Sequence, residues 1–257
     1  MNAPPRGASD VIGIAPMAGR GSRLGADSSK EVVPIANLGM PAERVLGSYA
    51  FAHMARAGIQ RCQVIVDPIK TDIPSTFGTS VAGVRLDYTW IENSPSPVAS
   101  LDAAYAALSG RVCALSFPDI LYRPCRGYEQ LLEQLLGGDA DVVLGLFPAL
   151  APEHCDMVRL GDDGAVDEIR IKSATGAELT HTWMLAVWRP RFTDFLHDFA
   201  TELGDGRGLG REAFIGDVVL AAQAAGLDVR GRIVSPEPAL DAGTPAALAR
   251  AREQSWE

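Results

Sequence analysis

The sequence of 257 residues predicts an α/β fold: a Rossmann-like, mixed but mostly parallel sheet flanked by helices. Three observations predict it. Apolar runs rich in Val and Ile alternate with stretches of helical periodicity, the pattern of βαβ units. The first of these runs, Val11-Ile-Gly-Ile-Ala15, leads directly into a loop carrying glycines and arginines. Several helical stretches also stop at glycine, which tolerates the left-handed backbone that closes a helix.

Taken in order, residues 11–15 form the first strand, and apolar spacing over 43–57 predicts a helix that ends at Gly58. Residues 63–66 are a second strand, followed by the loop Asp67-Pro-Ile-Lys70, and 86–91 a third. An alanine-rich helix over 98–108 ends at Gly110, and 112–116 is the central strand, which runs into Phe117-Pro-Asp-Ile-Leu121. A helix over 128–136 stops at Gly137-Gly138 before a strand at 142–147. The rhythm then changes. Residues 156–160, the turn Gly161-Asp-Asp-Gly164 and 165–171 read as a hairpin. A strand at 182–188, a helix at 192–199, a flexible glycine loop at 204–210, a helix at 214–225 and a strand at 229–234 follow. A last helix at 245–252 carries Pro in its first turn, where its missing N–H costs nothing. No repeat or composition break divides the chain. The expected organisation is a disordered leader over 1–10 and one domain over 11–257.

Composition narrows the function classes. Hydrophobic residues make up 47% and charged residues 21%, as in a soluble globular protein, and no apolar run is long enough to span a bilayer. The net charge of −9 disfavours a nucleic-acid-tracking surface, which needs a basic stripe. Cys62, Cys113, Cys125 and Cys155 form no CxxC pair and imply neither a disulfide framework nor a zinc site. A cytoplasmic location is expected.

The loop after the first strand carries the chemistry. Ala18, Gly19, Arg20, Gly21, Ser22 and Arg23, with Lys30 a few residues on, combine small residues and cations. Glycines let backbone N–H groups converge on a phosphate, and the cations neutralise it. The loop is neither a dinucleotide fingerprint, since Leu24 holds the third glycine position, nor a P-loop, since no Gly-Lys pair exists. Gly19-Arg-Gly-Ser-Arg-Leu24 followed by Ser29-Lys-Glu-Val-Val-Pro-Ile35 instead resembles the signature of the sugar-1-phosphate nucleotidylyltransferases, Gly-x-Gly-Thr-Arg-Leu and Pro-Lys-x-x-x-Pro. Three more segments agree in order: Phe117-Pro-Asp119 with the metal-binding Gly-Asp, Lys172 with the Lys of Glu-Lys-Pro, and Asp241-Ala-Gly-Thr-Pro245 with Asp-x-Gly-Thr-Pro. The resemblance spans about Val11 to Arg252 and is nearest the glucose-1-phosphate thymidylyltransferase-like branch.

That resemblance implies a nucleotide-diphospho-sugar transferase-like fold and roles for particular residues. Arg23, Lys30 and Lys172 would be catalytic. Arg23 would meet the departing pyrophosphate, Lys30 the α-phosphate, and Lys172 the acceptor phosphate. Ala18, Gly19, Arg20, Gly21, Ser22, Glu92 and Ser100 would bind the nucleotide, and Asp119 and Asp241 would hold Mg²⁺. The expected partners are a nucleoside triphosphate and a sugar 1-phosphate, with no nucleic acid and no membrane; a homo-oligomer is allowed. Two departures bear on specificity. Ile171 stands where a glutamate would meet a sugar hydroxyl, and Pro97 lacks an N–H at the base-reading segment. They motivate an alternative, a cytidylyltransferase acting on a phosphonate or an amino-alcohol phosphate. A catalytically silent nucleotide-binding paralogue is the third reading. Trp183 and Trp188 read as packing residues, and Glu212, Asp217 and Asp102 are left outside the site.

Overall fold

The computed structural model describes residues 7, 10–19, 28–36, 45–124, 126–172, 178–204 and 210–256. The phosphate-loop residues Arg20 to Arg23, Cys125, the start of the helix expected at 43–57 and most of the glycine loop at 204–210 lie outside them.

Strands β1 (Ile12–Pro16), β2 (Arg61–Val66), β4 (Val84–Trp90), β5 (Cys113–Ser116), β7 (Val142–Pro148) and β11 (Val229–Ile233) share one direction. With β3 (Ser80–Val81) and β10 (His181–Trp188) they run β11-β7-β10-β5-β1-β2-β4-β3 across the sheet. β10 is antiparallel to both β5 and β7, and it separates the two parallel groups. A hairpin of β8 (Asp156–Leu160) and β9 (Val166–Ile171) branches from the start of β10. A separate two-stranded ribbon joins β6 (Ile120–Leu121) to β12 (Leu240–Asp241). The mixed, mostly parallel sheet expected from the sequence is present.

Side chains alternate between two cores, as a sheet covered on both faces requires. Ala15, Val64, Ala114 and Val143 face one core, closed by α1 (Ser48–Arg56), α2 (Asp72–Phe77), α5 (Gly127–Gly137) and α8 (Pro245–Glu253). Ile14, Ile65, Leu115 and Leu144 face the other, closed by α3 (Pro97–Asp102), α4 (Tyr105–Leu108), α6 (Pro190–Leu203) and α7 (Ile215–Ala224).

Two elements differ from expectation for local reasons. The helix expected over 98–108 is two short ones. Between them the chain tightens into an i→i+3 turn, Ala104 N–H to Leu101 O at 3.1 Å, while Asp102 and Tyr105 both reach His197 of α6. The sequence also gave no sign of β3. It pairs with β4 through the two-residue turn Ala82-Gly83, both at positive φ (52° and 84°), the conformation of a type I′ hairpin turn.

Candidate active site

The parallel strands end on one edge of the sheet, and ligands of open α/β sheets bind at such an edge. A cleft of about 570 Å³ lies there, within the size range of small-molecule sites. Its walls come from the ends of β1, β5 and β7, from the hairpin, and from the β6–β12 ribbon.

Lys30 reaches this cleft from a 3-10 turn, Lys30–Val32, and a buried network fixes that turn. The Lys70 ammonium donates to Met17 O at 2.7 Å, Gly19 O at 3.0 Å and the Glu31 carboxylate at 3.0 Å. It thereby fastens the chain leaving β1 to the turn that carries Lys30. The Ser29 amide and hydroxyl donate to Asp72 at 2.6 and 2.8 Å, and Gly47 N–H donates to Glu31 O at 2.8 Å. Burial raises the Glu31 carboxyl above its ordinary pKa, offset in part by Lys70 and Lys30.

Asp119 follows β5 and is fixed by the ribbon: Ala242 N–H donates to Asp119 O at 2.9 Å. Its buried carboxylate accepts a hydrogen bond from Lys30 in an ion pair. Burial pulls the Lys30 pKa down, but Asp119, Glu31 and Asp241 more than offset it, so the pKa stands above the usual lysine value. Asp241 turns back on its own backbone, accepting from Gly243 N–H at 2.8 Å, and Thr244 then caps α8. A Cβ on Gly243 would lie 2.8 Å from Asp241 Oδ1 and 3.5 Å from Asp119 Oδ2, so both carboxylates crowd one small space.

The opposite wall is aromatic and charged. Lys172, just past β9, adopts a left-handed backbone (φ 41°) and places Nζ 3.5 Å from the centroid of Phe214. Asp156 begins β8, opposite Ile171 in the ladder, and its Oδ2 lies 2.4 Å from where a Cβ on Gly216 would sit. Burial pushes its carboxyl up to about 6; Lys172 and Arg211 pull it down and Asp217 adds to it. Trp183 packs at 5.9 Å from Phe117 and is itself buried.

Lys30, Asp119, Asp241 and Lys172 all line the cleft. Ala18 is buried beside β1, and the Gly19 carbonyl is held by Lys70. Ser100 is buried in α3 with its hydroxyl 2.8 Å from that of Ser94, and Glu92 is exposed beyond β4; neither lines the cleft. Arg20, Gly21, Ser22 and Arg23 lie outside the described residues. The sequence reading missed Lys70, Glu31 and Asp156. The only signal for Lys70 is its place at the end of the Asp67-Pro turn after β2, and nothing local marks Asp156.

No helix among the described residues is long and apolar enough to cross a membrane. Cys62 and Cys113 are buried free thiols, and burial pushes Cys113 up to about 12.

The fold is shared with two solved proteins, one described as a glucose-1-phosphate thymidylyltransferase and the other as a UGPase. In particular, the chain is similar to a Bacillus anthracis protein assigned as a glucose-1-phosphate thymidylyltransferase and solved in complex with sucrose. The two share 18% identity over 95% of this chain and 94% of the other, with a TM-score of 0.80. It is also similar to a UTP-bound UGPase from Acinetobacter baumannii, at 13% identity over 94% and 92% of the two chains and a TM-score of 0.76. No family model matches the sequence, and no curated protein does either. At these identities the likeness is one of fold.

Proposed function

We propose that this protein is a nucleotidyltransferase joining a nucleoside triphosphate to a sugar 1-phosphate, with release of pyrophosphate. The observation that carries this reading is the meeting of Lys30, Asp119 and Asp241 in the cleft at the strand tips. The fold shared with the two neighbours supports it.

In the reaction, an oxygen of the acceptor phosphate attacks the α-phosphorus. The new P–O bond forms as the bond to the β-phosphate oxygen breaks, and pyrophosphate leaves with the electron pair. The acceptor is already an anion, so no general base is needed, and catalysis rests on positioning and charge stabilisation. Lys30 exchanges its Asp119 partner for an α-phosphate oxygen. Arg23 stabilises the departing pyrophosphate, and Lys172 draws the acceptor phosphate into the cleft. Arg20, Gly21 and Ser22 complete the phosphate loop.

Among the described residues there is no cluster of three or more His, Cys, Asp and Glu that could enclose a metal. Mg²⁺ nevertheless suits Asp119 and Asp241. It takes oxygen ligands, keeps several positions for phosphate and water, and is commonly held by one or two carboxylates. When bound there, the ion would supply charge neutralisation between triphosphate and acceptor phosphate. Thymidine or uridine triphosphate is the proposed donor, in the cytoplasm. Pyrophosphate release measured across four nucleoside triphosphates and several phosphate acceptors, with and without Mg²⁺, tests the reading. Tight triphosphate binding with no pyrophosphate from any acceptor would overturn it.

A further inference from the structure

The sheet has two edges, and the chain treats them differently. At β11 the edge is covered by the hairpin turn: Gly231 N–H donates to Gly164 O at 3.0 Å, beside an Ala165–Arg230 bridge. At the other edge β3 covers only the start of β4. It pairs Ser80 and Val81 with Arg85 and Val84, and the last bond runs from Leu86 N–H to Thr79 O at 2.9 Å. Arg85 and Ile91 N–H donate towards β2, to Gln60 O and Val66 O, so the alternate residues Leu86, Tyr88 and Trp90 turn their main-chain groups outward. Among the described residues nothing pairs with Tyr88 or Trp90 along that edge.

The side chains do little to blunt it. Open edges are commonly protected by Lys, Pro or a bulge. The run Leu86-Asp-Tyr-Thr-Trp-Ile91 contains neither residue, and its register with β2 is unbroken. Its one charge, Asp87, is neutralised by Arg61 at 2.9 Å. Trp90 is 51% exposed while Trp183, Trp188 and Trp256 are buried, and its ring stacks on Tyr88 at 6.1 Å.

We propose that this edge joins a second copy of the chain, the two β4 strands running antiparallel about a two-fold axis at Trp90. Each Trp90 N–H then donates to the C=O of the other, and the two indoles meet across the axis with Tyr88 beside them. Thr89 faces Ile91, and Glu92 faces Tyr88, so no like charges oppose one another. β3 keeps its place. Asn93 (φ 49°, its N–H on Asp67 at 3.0 Å) turns each chain towards the end of its own β2 before it meets the other's β3. An edge that complements itself in this way selects a second copy over an unrelated extended peptide. Because the β11 edge is covered, pairing closes at two copies and does not grow into a filament.

So short a joint lies at the small end of interfaces, so sedimentation velocity should be run on the full chain from about 1 to 100 μM. The mass should rise from one chain to two. Over the same range the fluorescence of Trp90, the exposed one of the four tryptophans, should become less quenchable by acrylamide. Trp90→Lys and Trp90→Glu should each stay monomeric with an unchanged circular dichroism spectrum, since like charges then face each other across the axis. Mixed in equal amounts, the two variants should form a dimer again. A wild type that is monomeric throughout, or assemblies larger than two copies, would overturn the proposal. So would a dimer that both variants leave intact, or monomeric variants that do not recombine on mixing.

Discussion

At Asp119 and Asp241 the deciding quantity is charge. The buried Asp119 carboxylate and the exposed Asp241 carboxylate both crowd Gly243, and Lys30 neutralises the first of them. Asp119→Asn or Asp241→Asn should each cut Mg²⁺-dependent kcat by roughly 100-fold or more, with the circular dichroism spectrum unchanged. Near-normal turnover in both would remove them from the site. On the proposed reading, Arg23→Ala should lower kcat on a similar scale, about 100- to 1000-fold, because it removes the charge assigned to the leaving group. The same single-residue resolution explains why Asp156 escaped notice in the sequence. Ile171 stands out there as a missing carboxylate, and its cross-strand partner is Asp156, a pairing only the ladder reveals.

Among the elements, the segment joining β1 to the 3-10 turn depends on Lys70. It is buried against Glu31 and holds two main-chain carbonyls. Lys70→Met should therefore destabilise the protein by about 3–5 kcal/mol in urea denaturation, because Glu31 is left buried without its partner. Adding Glu31→Leu should recover part of that loss, since an apolar pair replaces an orphaned charge. Turnover should stay depressed in the double variant, as the chain leaving β1 is no longer tied to Lys30. Equal stability of Lys70→Met and wild type would refute this account of the network.

Over the whole molecule, two buried groups set opposing pH trends. Burial, with a smaller push from Arg56, lowers His53 to about 3, and both its ring nitrogens lack partners. The unfolded chain takes up that proton near pH 6.5, so His53 adds stability above this value and loses it as pH falls towards 3. Asp156, raised to about 6 by burial, acts the other way: its folded form keeps a proton that the unfolded chain releases near 3.8. Its contribution is full below about pH 4 and is lost as pH rises to 6, on the order of 2–3 kcal/mol. Denaturation midpoints at pH 4, 5, 6 and 7.5 should show Asp156→Asn more stable than wild type at pH 7.5 and steeper on the acid side. His53→Leu should flatten the acid side. Parallel curves for all three proteins would refute both assignments.

The alternation of apolar runs with helical periodicity, and the loop and motif order from Gly19 to Asp241, were legible in the sequence because they are local. Continuous apolar runs, buried on both faces, mark β1, β2, β5 and β7, and spacing within a few residues marks the helices closed by Gly58 and Gly110. Only the tertiary structure decided that β10 runs antiparallel between two parallel groups, that Asp119 and Asp241 meet through the β6–β12 ribbon, and that Lys70 braces Lys30. Those contacts join residues far apart in the chain, and burial there depends on which elements pack together, a quantity no short window of sequence contains.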